Sequence, residues 1–191
     1  MMKKQLKQTL LLALLLPTFE VSQADDWTGH ISGYLGQKQL DDADWSPLEK
    51  QLSLGVIFDI KRESWPVSIA YDIIGSADVH ESGALKNEAY TVEHHLGIRK
   101  IFDITGTSVT PYVGGGVALI DTEIKNRSAT THTTESDDST GLWVGGGVYV
   151  PITSNVNLGV DVRYSQADVT FANVDRKAGG MHWGITTGYA W

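Results

Sequence analysis

The chain has 191 residues, no cysteine and a formal net charge of −8 at pH 7. An acidic chain without clusters of lysine or arginine argues against a nucleic-acid partner. The absence of cysteine excludes a disulfide framework and thiol chemistry, and the length fits one domain after a leader.

The first 24 residues have the layout of a secretory signal peptide. Three lysines open the chain, residues 10–16 are an apolar run, and residues 22–24 (Ser-Gln-Ala) form a small-x-small cleavage site. The run is too short to cross a membrane as a helix, which disfavours the alternative of an uncleaved anchor. We therefore expect residues 1–24 to be removed and residues 25–191 to form the mature domain.

After the leader, apolar residues alternate with small or polar residues. Period two is typical of strands whose two faces meet different surroundings. The segments are about ten residues long, which suits tilted strands that cross a bilayer. The eight predicted strands are residues 27–38, 51–60, 65–74, 90–99, 109–119, 142–150, 156–165 and 181–191.

The predicted connections alternate between long and short. Transmembrane barrels show this asymmetry because one rim carries tight periplasmic turns and the other carries long surface loops. An even number of strands would place both termini in the periplasm. The predicted long connections are residues 41–47, 75–87, 121–138 and 166–177, and the short turns are residues 61–64, 103–107 and 151–154.

The closing strand decides between a membrane barrel and a soluble one. Its large apolar face ends on Tyr189 and Trp191, at the end of the chain, while the other face carries small residues. In a lipocalin-like barrel or a β-sandwich, the outer faces would be rich in Gly, Ala and Ser, which is poor for a solvated surface. We therefore predict an all-β fold, an eight-stranded antiparallel up-and-down transmembrane β-barrel, closed by pairing of its last and first strands.

Residues 111–117 (Pro-Tyr-Val-Gly-Gly-Gly-Val), residues 143–148 (Trp-Val-Gly-Gly-Gly-Val) and the closing strand resemble the small OmpA-like outer-membrane barrel domains. The resemblance implies an integral protein of a Gram-negative outer membrane, in contact with outer-membrane lipid and lipopolysaccharide, monomeric and without a cofactor. It also implies a C-terminal signal for the barrel-assembly machinery, although the family usually ends on Phe. The residues of that signal would be Trp183, Ile185, Tyr189 and Trp191.

The function implied by the resemblance is structural or interactive: envelope integrity, adhesion or resistance to host factors, through acidic extracellular loops. Sequence alone does not name the ligand of those loops, because loop surfaces carry no motif here. The alternative is a narrow channel for small solutes. An open lumen would favour the channel, and a lumen blocked by side chains would favour the structural or interactive role.

Charged side chains fall on the predicted interior faces. An eight-stranded barrel is just filled by its side chains, so interior charges must pair or be hydrated. We expect Arg163, on the seventh strand, to bridge across the barrel to Asp72 or Glu93 and to block the lumen. Asp59, His30, His95 and His182 also fall on interior faces, and the predicted interior charge network is Asp72, Glu93, Arg99, Asp161 and Arg163.

A lipid A-modifying enzyme is the third possibility. Residues 164–167 (Tyr-Ser-Gln-Ala) faintly resemble a deacylase segment, but Arg163 stands where that family has a histidine. His182 could face Ser165 across a hairpin, as nucleophile activation requires. Both side chains would point into the barrel, away from acyl chains, so we expect no catalysis.

We also expect no metal site. His94 and His95 are neighbours on one strand and therefore point to opposite faces. Acidic side chains in the loops could collect divalent cations, but a solvated rim explains them equally well. These loop acids are Asp41, Asp42, Asp44, Glu135, Asp137 and Asp138.

Overall fold

The computed structural model of the chain describes residues 26–171 and 174–191, so the predicted leader lies outside the described residues. The fold is all-β apart from one short helix. Within the described ranges, no helix has the length and apolar character needed to cross a membrane. The elements are β1 (Trp27–Gln39), α1 (Asp42–Trp45), β2 (Lys50–Arg62), β3 (Ser68–Ser82), β4 (Leu85–Ile101), β5 (Thr110–Arg127), β6 (His132–Pro151), β7 (Val156–Gln166), β8 (Asp168–Phe171), β9 (Val174–Lys177) and β10 (Met181–Ala190).

Eight of the strands close into an antiparallel barrel in the order β1-β10-β7-β6-β5-β4-β3-β2. The predicted fold is therefore confirmed, including the closure by the last strand. Ile31 of β1 pairs with Tyr189 of β10, and the ladder runs from His30 to Gln39. Closure leaves no unpaired edge around the barrel wall, as a lipid environment requires.

The alternation of the sequence becomes an alternation between two surfaces. Leu54, Val144 and Leu158 point outward and are 59%, 61% and 50% exposed. Their neighbours along the strands point inward; Ser53 and Asn157 are examples, and both are buried. An apolar outside around a polar inside is the reverse of a soluble barrel, so the apolar outer face fits lipid.

The barrel has two unlike ends. Both described termini and the three short connections after β2, β4 and β6 lie at one end, the terminal rim. The other end, the loop rim, comprises residues 40–50, 77–91, 121–141 and 167–180.

The structure corrects two predicted loops at the loop rim. Residues 75–87 and 121–138 are mostly strand, because β3–β4 and β5–β6 continue as hairpins beyond the apolar belt. Their turns are short, and Gly83 adopts a φ of 61° in the first of them. Beyond the belt the outward face becomes polar, as at Asp121 and Glu123, while inward residues such as Thr122 and Ile124 stay buried. The apolar period therefore ends although the backbone ladder continues. The other two long connections contain α1 and the β8–β9 hairpin, which the sequence pattern did not reveal.

Candidate functional site

The centre of the lumen is occupied by Asp72 on β3, held between two arginines. Nη2 of Arg99 and Nη1 of Arg163 each donate to Oδ2 of Asp72 at 2.8 Å. Strands β3 and β7 lie on opposite sides of the closed ring, so Arg163 crosses the lumen to reach its partner. All three side chains are buried.

Two further carboxylates complete this ionic centre. Arg163 forms a fork with Asp161, since Nε donates to Oδ1 at 2.7 Å and Nη2 donates to Oδ2 at 2.9 Å. Arg99 also donates to Oδ2 of Asp59 at 3.0 Å. Bidentate, charge-assisted contacts of this kind are strong and fix geometry. The two guanidinium groups are thereby locked across the barrel.

Glu93 lies outside that centre, in a second cluster nearer the loop rim. It was one of the two partners expected for Arg163, but its carboxylate instead accepts from Lys38 at 2.7 Å, His182 at 2.8 Å and His95 at 2.9 Å. The other ring nitrogen of His95 lies 3.2 Å from Nη1 of Arg163. His95 thus accepts from Arg163 and donates to Glu93, which joins the two clusters.

Lys38 is the member that the sequence prediction omitted. It is fully buried, and its ammonium also donates to the carbonyl oxygen of Ala178 at 2.7 Å. The alternation of the first strand already places Lys38 inside the barrel, because it follows His30, Ser32 and Tyr34 at even spacing on the interior face.

Glycine and aromatic residues shape the space around the network. A Cβ on Gly145 would lie 2.7 Å from Cβ of Arg163, and one on Gly147 would lie 2.6 Å from the hydroxyl of Tyr112. The Tyr112 hydroxyl donates to Oδ2 of Asp161 at 2.6 Å. The Trp143 ring stacks on His95 at 5.3 Å and lies 5.7 Å from the Arg163 guanidinium carbon. The glycine-rich stretches therefore create the room that these side chains fill.

The network forms a continuous polar partition. Its carboxylic side chains are Asp59, Asp72, Glu93 and Asp161, and its basic side chains are Lys38, Arg99 and Arg163. Because the members bond one another across the lumen rather than lining an open path, the arrangement blocks passage more readily than it conducts.

A second closure lies at the loop rim, where the α1 loop and the β8–β9 hairpin fold over the barrel mouth. We call the described residues of these two segments, 40–49, 167–171 and 174–180, the cap. Trp45 packs edge-on against Phe171 at 6.3 Å and donates from Nε1 to the carbonyl oxygen of Lys177 at 2.7 Å. Its other buried apolar residues include Leu40, Leu48, Ala167, Val169 and Ala178.

The outer surface of the cap is held by polar contacts. Nζ of Lys177 lies 2.7 Å from Oδ2 of Asp41, and the backbone N–H of Lys177 donates to Oδ2 of Asp44 at 2.9 Å. The hydrogen bond from Lys177 lowers the pKa of the Asp41 carboxyl, and the same bond raises the pKa of Lys177. The pair therefore stays ionised at neutral pH.

The family model described as outer membrane protein beta-barrel domain matches residues 10–191. The chain belongs to this family. The match places the protein in the outer membrane as an integral barrel.

Solved structures of other outer-membrane barrels have the same fold at low sequence identity. Ail of Yersinia pestis, in complex with the heparin analogue sucrose octasulfate, is 12% identical with a TM-score of 0.63, over 87% of this chain and 99% of Ail. A major outer membrane protein from Thermus thermophilus is 10% identical with a TM-score of 0.59, over 86% of this chain and 98% of that one. Neisserial surface protein A is 16% identical with a TM-score of 0.51, over 86% and 94%. A sequence search of curated proteins gave no match.

In this outer-membrane barrel, Ser165 and His182 have other partners. Oγ of Ser165 accepts from the backbone N–H of Gly180 at 3.3 Å. His182 is opposite Arg163 in the strand register, and its Nε2 is bonded to Glu93. The proposed facing of Ser165 and His182 across the hairpin is therefore wrong, and no activated serine results.

The acidic residues of the loop rim are dispersed among separate contacts. Asp42 accepts from Gln39 Nε2 at 2.8 Å, and Asp137 accepts from the backbone N–H of Thr170 at 2.6 Å. Asp41 and Asp44 bind Lys177, as described above. Within residues 26–171 and 174–191, no three His, Asp or Glu side chains converge as metal ligands would.

The residues predicted as an assembly signal lie along the seam between β10 and β1. Trp183, Ile185 and Tyr189 are exposed on the outer face. The backbone of Trp191 exchanges two hydrogen bonds of 3.1 Å with Gly29, and its ring lies 6.3 Å from the ring of Phe58. The last residue thus completes the ladder that closes the barrel.

Proposed function

We propose that this outer-membrane barrel is a closed scaffold whose function is structural or interactive, carried by its loop rim. The observation that carries this is the buried network centred on Arg163 and Asp72, which fills the lumen with paired groups. The apolar cap above it supports the same conclusion. Catalysis has no support from Ser165, whose hydroxyl lacks a base.

The proposed orientation follows from the two rims. The loop rim faces the cell exterior, both termini face the periplasm, and a leader ending at Ala24 is removed on export. Long hairpins at one end and short turns at the other are the usual arrangement of such barrels. Outer-membrane lipid surrounds the apolar belt, and lipopolysaccharide surrounds the bases of the hairpins.

The charge of the loop rim restricts what it can bind. Residues 40–50, 77–91, 121–141 and 167–180 contain fourteen Asp and Glu against six Lys and Arg. Such a surface repels polyanions at short range and attracts cationic groups. Although Ail was solved with a sulfated ligand, we propose that this barrel's rim binds basic protein surfaces or divalent cations that bridge to lipopolysaccharide phosphates.

Conductance in planar bilayers tests the closed lumen. We expect no discrete openings from the purified barrel, whereas steady ion conductance would favour the alternative of a narrow channel. A larger porin reconstituted in the same bilayers provides the positive control.

Binding of whole cells tests the surface role. Cells that display the barrel should adhere better to a surface coated with polylysine than to one coated with heparin. The triple variant Asp42→Asn, Glu135→Gln, Asp138→Asn removes rim charges and should weaken this preference. The matched variant Asp103→Asn, on a short turn of the terminal rim, should leave the preference unchanged. If the parent, the triple variant and Asp103→Asn showed the same preference for polylysine, an interaction through rim charge would be refuted.

We also propose that the C-terminal strand is the signal for the barrel-assembly machinery. Removing Trp191 deletes the two backbone bonds to Gly29 and the terminal aromatic ring. Assembly in cells should fall strongly, measured as the folded fraction by heat-dependent mobility on gels. Urea unfolding of the variant refolded in vitro should change much less, and an equal loss in both measurements would contradict a signalling role.

A further inference from the structure

One polar pair lies on the outer, lipid-facing surface of the barrel. His94 of β4 points outward between Val92 and Leu96, which are exposed apolar residues of the belt. On the adjacent strand β3, the hydroxyl of Tyr71 lies 2.9 Å from Nδ1 of His94, and the two rings are stacked at 6.1 Å. A polar group in this position has no solvent partner in the hydrocarbon region.

The pair has one unused donor and one unused acceptor. If Tyr71 donates to Nδ1, then Nε2 of His94 carries the free N–H and the phenol oxygen keeps a free lone pair. If Nδ1 donates instead, the phenol O–H is free and Nε2 accepts. Either tautomer therefore leaves one hydrogen-bond donor and one acceptor facing acyl chains, where a polar group without a partner is costly.

A hollow in the outer surface lies beside this pair. Gly75 also points outward on β3, and the nearest atom to a Cβ built on it is a backbone oxygen of Leu54 at 3.9 Å. Ala77 is the next outward residue on the same strand. Small residues that permit close approach, together with polar side chains that bond across the contact, are what membrane-embedded protein interfaces use.

The opposite wall of the barrel lacks this combination. Along β7 the outward residues Val156, Leu158, Val160 and Val162 are all apolar and exposed. On β10, Thr187 has a hydroxyl on the outer face, and its register partner Gly33 on β1 leaves space like that at Gly75. Within the described residues, however, no hydrogen bond joins Thr187 to an aromatic or histidine side chain. Lipid alone suffices for that wall.

In place of the monomer that the resemblance implies, we propose that two copies of this barrel pair within the membrane through the β3–β4 face, with His94 and Tyr71 of each copy bonding those of the other. A two-fold axis along the membrane normal keeps every group at its own depth. Because His94 and Tyr71 are bonded to each other, their polar ends share one depth, so the free donor of one copy meets the free acceptor of the second. Such a contact is self-complementary, as two-fold interfaces must be.

Cysteine cross-linking tests the pairing directly, since the chain has no natural cysteine. Val92→Cys and Ile73→Cys place a thiol beside the pair, and Leu158→Cys places one on the opposite wall. In phospholipid vesicles with a short bismaleimide, we expect a dimer band from the first two variants and monomer from the third. Monomer at all three positions would assign the face to lipid and overturn the proposal, as would equal cross-linking at all three.

Substitution of the pair provides the second test. His94→Leu and Tyr71→Phe each remove a polar group, and each should weaken dimerisation about tenfold in sedimentation equilibrium. Thr187→Val, which removes an outer hydroxyl on the far wall, should not change it. Heat-dependent gel mobility verifies that every variant is folded. Unchanged dimerisation in His94→Leu and Tyr71→Phe would also overturn the proposal.

Discussion

Side chains cross the lumen at two levels that are built from opposite chemistry and that we propose close it. At mid-barrel, Arg163 and Asp72 bridge strands from opposite walls through short ionic hydrogen bonds. At the loop rim, Trp45 and Phe171 form an apolar cover from two connecting segments. The residues of the mid-barrel closure belong to the barrel strands, whereas those of the cap belong to the connecting segments. A mutation in the first should therefore destabilise the whole barrel, and a mutation in the second should act on the cap.

The mid-barrel closure is costly to disturb because its groups cannot reach water. Removing one ion leaves its partners charged and buried, and that loss falls on the whole barrel. We expect the cap to open more easily than the barrel, because its segments add no strand to the barrel ladders. Its apolar residues nevertheless share one buried cluster with Ala118, Ile120 and Trp143 of the barrel strands. Under the proposed closed lumen each level blocks passage, so opening one alone should not produce conductance.

The largest effect is expected from Arg163→Met. This change leaves Asp161 without its forked partner and Asp72 with Arg99 alone, and it should lower the free energy of unfolding by about 3–5 kcal/mol. Urea unfolding from phospholipid vesicles measures it. Arg127→Met, at the exposed end of a hairpin, is the control and should stay within about 0.5 kcal/mol of the parent.

A double variant sharpens this test. Asp161→Leu combined with Arg163→Met removes both members of the fork, so the loss should be smaller than the sum of the two single losses. An additive result would mean that the two side chains act independently, which contradicts the geometry of the ionic centre.

A smaller and more local effect is expected from Trp45→Ala. The change deletes the edge-on contact with Phe171 and the hydrogen bond to Lys177. Hydrogen exchange should accelerate in residues 40–49 and 167–180, while unfolding of the barrel changes by less than about 1 kcal/mol, because cap and barrel open separately. The variant should remain non-conducting.

Trp45→Phe is the matched control, since it keeps a ring against Phe171 and loses only the hydrogen bond. Its exchange rates should fall between those of the parent and Trp45→Ala. A loss of barrel stability in Trp45→Ala as large as that of Arg163→Met would show that the two closures are one unit.

The two closures also differ in how far sequence predicts them. Period-two alternation placed Arg163 and Asp72 on interior faces, and strand order then put β7 opposite β3. The same parity includes Lys38, although its bond to Glu93 depends on barrel register. Trp45 lies in a connection without strand alternation, and the short alternation at Ala167, Val169 and Phe171 does not show where its segment folds. The contact between Trp45 and Phe171 exists only because both segments return over one opening.

The sequence also predicted the ends of the strands poorly. Apolar periodicity reports only the part of a strand that meets lipid, so it stops where the belt stops. Asp121 and Glu123 continue the outward face of the β5 ladder against β6 where that face no longer meets lipid, while Thr122 between them stays buried. The lengths of the hairpins were therefore underestimated, although the positions of the membrane-crossing segments were not.

The smallest effect is expected where the cap meets water, at the Asp41–Lys177 pair. The folded-state pKa of Asp41 is lowered from 3.8 and that of Lys177 is raised from 10.5, each through their mutual hydrogen bond. The carboxylate's contribution is present above its unfolded pKa and is lost as pH falls through the lowered value. The ammonium's contribution is present below its own unfolded pKa and is lost as pH rises through the raised value.

Hydrogen exchange in the cap, corrected for its intrinsic pH dependence, should therefore stay level between those limits and accelerate only in strong acid or strong base. Lys177→Met should raise cap exchange a few-fold at most at neutral pH, because exposed ion pairs contribute little. It should also reduce the acid response that Asp41 gives the parent, while the bond from the backbone N–H of Ala43 keeps part of that response. A marked change near pH 6 would instead implicate a histidine. If that change persisted when His80 and His132 of the loop rim were replaced, the cap would be responding to the network beneath it through the Lys38 bond to Ala178.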